Sequence, residues 1–168
     1  MEALVWLENS SLGTWVRESP SLFAYSGLIS LHAFGLAFAA GVSAAIALRI
    51  LGVAPGLPLA PMEKLFPIIW IAFWVNAVSG ALLLTSSATT DLTNPVFFTK
   101  MAFVVLAIAT VRLLKHQVFR DPARLKTRPA PQRARILAAA SLVCWMGAIV
   151  AGRLVEYPVL FRHAPGTK

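Results

Sequence analysis

Cysteine occurs once in this chain, at Cys144. An intramolecular disulfide is therefore excluded, and no cysteine–histidine cluster has the spacing of a zinc site. Cys144 sits in an apolar stretch, where a lone thiol packs as a small hydrophobe. Acids are scarce: Asp and Glu number 7 against 15 Lys and Arg, for a formal net charge of +8. No complete catalytic motif is present, and no internal repeat is convincing. Met1–Ser10 lack a basic n-region and a cleavage site, so no signal peptide is expected and the first apolar stretch should stay in the mature protein.

Long hydrophobic runs make up most of the rest. Hydrophobic residues are 58% of the 168, with a mean hydropathy of +0.72. Four stretches, about 22–48, 65–85, 96–118 and 134–157, each approach or exceed the roughly 20 apolar residues a bilayer span needs. Only helices or closed barrels satisfy the backbone in lipid, and stretches this long are helices. The expected fold is all-α: one transmembrane domain over residues 1–168, an up-down four-helix bundle with short connections. Residues 3–18 hold Trp6, Leu7, Leu12 and Trp15 among polar residues and predict a short interfacial amphipathic helix, or two, ended by Pro20. The Pro- and Gly-rich segment Gly52–Pro61 is a turn. Asn94-Pro95 marks the start of span three.

Positive charge gathers in the third connection: Arg112, Lys115, Arg120, Arg124, Lys126, Arg128, Arg133 and Arg135, with Asp121 alone opposing it. The positive-inside rule puts this loop in the cytoplasm, and alternation then puts both termini outside. The expectation is a multi-pass protein of a bacterial inner membrane. Nucleic acid is not an expected partner, because the basic run adjoins spans, lacks interleaved aromatics and contains Pro122, Pro129 and Pro131. Anionic lipid headgroups account for it.

This topology converts sequence position into depth. Span one carries Gly35, Ala39, Ser43 and Ala47 at intervals of four, a stripe of small residues that lets helices approach closely in lipid. His32 is one turn earlier on the same face, roughly 10–12 Å below the outer end at about 1.5 Å per residue. Asn76 and Ser79 fall in the middle-to-outer half of span two. Lys100 is one turn inside the outer end of span three, and Arg153 and Glu156 are in the last turns of span four. All four spans thus place polar groups in the outer half of the bundle, and the inner half has almost none. Ionisable groups in a span are costly and usually face a partner or a cavity. Plainer roles exist for each: Lys100 and Arg153 can snorkel, Arg153 can pair with Glu156, and His32 can be a neutral imidazole bonded to a neighbouring helix.

The sharper reading makes His32 a cofactor or metal ligand, with Asn76, Lys100, Arg153 and Glu156 around it. A bis-histidine haem is not expected, since His116 lies at the opposite end of span three and His163 in the outer tail. A haem b on one histidine, or copper with help from Met101, Met146 or Cys144, are the alternatives.

Leu31–Gly41 with Leu48–Gly52, Asn94-Pro95 leading to Lys100, and Ala151–Tyr157 resemble a group of small, uncharacterised bacterial four-helix inner-membrane proteins, over about 22–157. More distantly, an early-span His32 and a third-span Lys100 are similar to HemJ-type protoporphyrinogen oxidases and CopD-type copper-resistance domains. The HemJ resemblance implies His32 as haem ligand and Lys100 as the second key residue. The histidine that often follows the lysine there has no match here. Three functions remain open: a cofactor-binding or accessory subunit of a membrane complex, other subunits or a homo-oligomer being its partners; a haem-dependent membrane oxidoreductase; and an oligomeric channel or transporter.

Overall fold

The computed structural model describes residues 2–120 and 130–155. Every regular element among them is helical: α1 (Glu2–Glu8), α2 (Ser11–Glu18), α3 (Tyr25–Leu51), a 3₁₀ turn (Ala60–Leu65) running into α4 (Phe66–Ser86), the short α5 (Ala88–Asp91), α6 (Pro95–Leu114) followed by a π-helical turn (Lys115–Phe119), and α7 (Gln132–Val155). Four of them, α3, α4 with its lead-in, α6 with its π turn, and α7, are long and apolar enough to cross a membrane.

The ends of these helices follow from their sequences. The N-terminal segment is two helices, parted at Ser10: its hydroxyl accepts the Gly13 N–H at 3.2 Å and caps α2, as a serine N-cap does. Gly52 ends α3 with φ 105°, a left-handed conformation that only glycine adopts at little cost. Pro67 stands at the start of α4, where its missing N–H is harmless. Asn94 caps α6, its side chain accepting the Val96 N–H at 2.9 Å. Span three does not remain α-helical to residue 118; the wider π turn takes over at Lys115.

The spanning helices are apolar on both faces. Phe34, Phe38, Ile71, Trp74, Val105 and Val143 are exposed while Ala39, Ala47, Ile69, Ala107 and Ala138 are buried. A helix hydrophobic all round belongs in lipid or deep in a large core. α3 packs along α4, α6 along α7, and α3 also meets α7. The stripe on α3 faces inward as expected: Gly35, Ala39, Ser43 and Ala47 are all buried. A Cβ added to Gly35 would fall 2.7 Å from the Asn76 nitrogen and 2.9 Å from the Ala72 oxygen, so α3 and α4 meet backbone to backbone there. Gly147 of α7 seats the Phe103 ring of α6 in the same way. Two buried hydroxyls bond their own helices, Ser43 to the Ala39 oxygen at 2.6 Å and Thr110 to the Ala107 oxygen at 2.7 Å. Arg49, in the last turn of α3, is buried; its guanidinium donates to the Leu57 and Pro55 carbonyls and closes the turn after α3.

At the other end, α2 lies against α4 and α1 against α5. The Glu8 carboxylate accepts both the backbone N–H and the hydroxyl of Thr89, each at 2.7 Å, in the first turn of α5. These bonds hold the Glu8 carboxyl below the ordinary carboxylate range.

Two predictions follow from these contacts. Gly35→Ala should lower the unfolding free energy in detergent by about 1–3 kcal/mol through overpacking. Gly41→Ala, whose added methyl has nothing within 4 Å, should be neutral or stabilising by up to about 1 kcal/mol through helix propensity. Equal melting temperatures for the two variants would contradict the close approach. Because the folded carboxyl of Glu8 titrates below its unfolded value of about 4.3, its contribution is complete above that pH and is lost as pH falls through the folded value. Hydrogen-exchange protection of residues 2–18, corrected for the intrinsic pH dependence of amide exchange, should therefore fall in acid, and Glu8→Gln should lower it at neutral pH and flatten the dependence.

Candidate functional site

His32 projects from α3 one turn before the Gly35 contact and lies against α4. Its ring rests on Gly80: a Cβ there would be 2.8 Å from Cε1 and 3.0 Å from Nδ1. Asn76, one turn earlier on α4, meets it from the side. The Asn76 backbone oxygen is 2.9 Å from Nδ1, and the Asn76 side-chain amide donates to the His32 carbonyl at 2.8 Å. That amide nitrogen is also 3.2 Å from Nδ1, and the Ser79 hydroxyl is 3.5 Å from it.

These distances assign the protons. A carbonyl oxygen can only accept, so the 2.9 Å contact requires a proton on Nδ1. The Asn76 amide then directs its hydrogen to the His32 carbonyl, and Ser79 directs its own to the Val75 oxygen at 2.6 Å. The neutral ring carries its lone pair on Nε2. This is the arrangement by which a backbone carbonyl orients a ligating imidazole: one nitrogen is fixed and the other is presented.

Lys100 links α6 to α7: its stem lies over Gly152, whose added Cβ would be 3.6 Å from Cε and 3.9 Å from Nζ. Two of the expected residues, His32 and Asn76, are brought together from α3 and α4. Arg153 follows Gly152 on α7 with an exposed side chain. Glu156 lies outside the described residues, as does His163.

The soft donors are placed elsewhere. Met101 and Met146 are 43% and 62% exposed, and Cys144 is buried among Ala39, Ala72, Ala107 and Trp145. Among the described residues no three His, Cys, Asp or Glu side chains are grouped to hold a metal ion. A bare copper ion therefore lacks a donor set there. Haem asks less of the protein, because the macrocycle brings its own four nitrogens and one imidazole can complete an axial position. His116 is in the π turn, hydrogen-bonded with Arg120, away from this cluster.

Sequence reasoning gives Gly80 no role. The signal was there: Gly80 is four residues after Asn76, so the amide and a bare stretch of backbone share a face of α4. No protein-family model, curated protein or solved structure matches the chain, and the site is read from its own geometry.

Gly80→Ala should push the imidazole off α4. The expected result is a loss of about 1–2 kcal/mol of stability and, in nitrogen NMR spectra, departure of His32 from the Nδ1–H tautomer. An unchanged tautomer signal would contradict the assignment.

Proposed function

We propose that this chain is a multi-pass protein of a bacterial inner membrane, an up-down-up-down bundle with both termini outside, and that its outer half presents His32 Nε2 to a cofactor or a partner subunit. The role is that of a cofactor-holding or accessory subunit. The single observation that carries it is the bond from Nδ1–H of His32 to the Asn76 carbonyl, which fixes the ring and leaves the ligating lone pair on Nε2. Supporting it, the basic residues Arg112, Lys115 and Arg120 sit together at one end of the bundle, as the positive-inside rule asks of a cytoplasmic face.

A second reading, a haem-dependent oxidoreductase of the HemJ kind, is favoured by the same nitrogen and by the presence of Lys100 in the second turn of α6. A haem would be held by His32, with Lys100 as a cation for its carboxylates. When bound it would supply one-electron redox chemistry; the protein's part is to orient the ring and exclude water.

Visible absorption and metal analysis of the full chain purified from bacterial membranes test both. A Soret band that His32→Ala abolishes, in a protein that still folds, is the result expected for a haem-holding subunit. A colourless protein that copurifies with a membrane partner, and loses it in His32→Ala, supports the accessory role without haem. A colourless, metal-free protein recovered alone overturns both.

A further inference from the structure

At the end of the bundle opposite His32, α4 and α6 enclose a groove of about 290 Å³. Its floor is aromatic: Phe66 and Phe119 meet edge to face at 5.1 Å, and Trp70 stands beside them. Its rim is cationic. The Arg112 guanidinium lies 4.8 Å above the Trp70 ring and the Lys115 ammonium 5.6 Å from Phe66, while Arg120 completes the wall. Among the described residues, Glu63 is the one acid along it.

The π turn makes this clustering possible. At 3.6 residues per turn, Arg120 would be rotated by about 80° from Arg112, eight residues earlier. The extra residue of a π turn cancels about one such step and swings Arg120 back toward Arg112. Phe119 is buried in the same turn, against Phe66. The three cations consequently share one opening above one apolar floor.

We propose that this groove binds the headgroup of an acidic phospholipid, its phosphodiester among Arg112, Lys115 and Arg120 and the upper part of an acyl chain against Trp70 and Phe66. Charge complementarity selects the occupant: three cations and one acid leave an excess of positive charge that a phosphate without a compensating amine matches. A zwitterionic headgroup would bring its own ammonium against them. Trp70, amphipathic and near the start of α4, has the character of an interface residue. Basic pockets on the cytoplasmic side of spanning helices take such headgroups. The inference rests on the membrane-spanning reading of the four helices and is independent of what His32 holds.

The test is thermal unfolding of the full chain in a neutral detergent, titrated separately with phosphatidylglycerol, phosphatidylcholine and inorganic phosphate. Phosphatidylglycerol should raise the melting temperature saturably, with little effect from the other two. The double variant Arg112→Gln/Lys115→Gln should weaken the apparent affinity by about tenfold or more, and Arg133→Gln/Arg135→Gln, outside the groove, should leave it nearly unchanged. Equal stabilisation by both lipids, equal weakening by both double variants, or full reproduction of the shift by inorganic phosphate would each overturn the proposal. Should the groove variant fail to fold, the unmodified chain decides. Its tryptophan emission should be quenched by brominated-chain phosphatidylglycerol at a lower mole fraction than by the brominated phosphatidylcholine, and equal quenching would overturn the site. None of these outcomes bears on the His32 spectrum.

Discussion

Two helix backbones in contact at Gly35 set the geometry of the rest. In lipid, apolar side chains gain little by leaving one hydrocarbon surface for another, so helices associate through close packing and polar contacts. The approach of α3 to Ala72 and Asn76 supplies the packing. It also brings a histidine ring within 2.9 Å of a carbonyl on the next helix, a distance that bulky side chains at this crossing would have prevented. Glycine serves both helices: Gly35 admits the backbone of α4, and Gly80 admits the ring from α3. The histidine site is thus a product of the same contact that holds the first two spanning helices together.

The architecture was largely legible before any coordinates. Length and hydropathy announce spanning helices because the bilayer imposes a minimum length and excludes most charge. The α3 stripe was legible because small residues at intervals of four stand out in an apolar segment, and His32 was legible as a member of that face. Pairings were harder. Sequence put Asn76, Lys100, Arg153 and Glu156 at a common depth, but depth does not say which helices are neighbours. That α4 offers His32 both a side-chain amide and a backbone oxygen depends on rotation about the helix axis, which a helix apolar all round does not reveal. Two features were invisible for other reasons. The π turn at Lys115 has no compositional signature, and the burial of Arg49 depends on loop carbonyls that come back to meet it.

The two ends of the molecule differ in kind, and the apolar interior between them keeps them separate. One end has a single imidazole with an assigned proton, an amide and an ammonium. The other has three cations above two rings that meet edge to face, arranged by a helical irregularity. Between them Ala39, Ala40, Ala72, Ala107 and Trp145 pack into an apolar cluster, and Arg49, buried nearer the groove, donates to the Leu57 and Pro55 carbonyls. Polar groups at the two ends therefore do not have to be satisfied by one another.

The number of donors at His32 limits what the site can be. An imidazole placed only to stitch two helices could use either nitrogen and any tautomer. Here the Asn76 carbonyl demands the Nδ1 proton, while the Asn76 amide is drawn off to the His32 backbone. The neutral ring keeps one oriented lone pair, on Nε2, and among the described residues no three His, Cys, Asp or Glu side chains are grouped to hold a metal ion. A site with one strong donor cannot hold a bare metal ion firmly, but it can complete the coordination of a metal that arrives already ligated, or accept a hydrogen bond from a neighbouring subunit. The occupants proposed above, a macrocyclic cofactor or a second membrane protein, are of the kind that would bring most of their own binding groups.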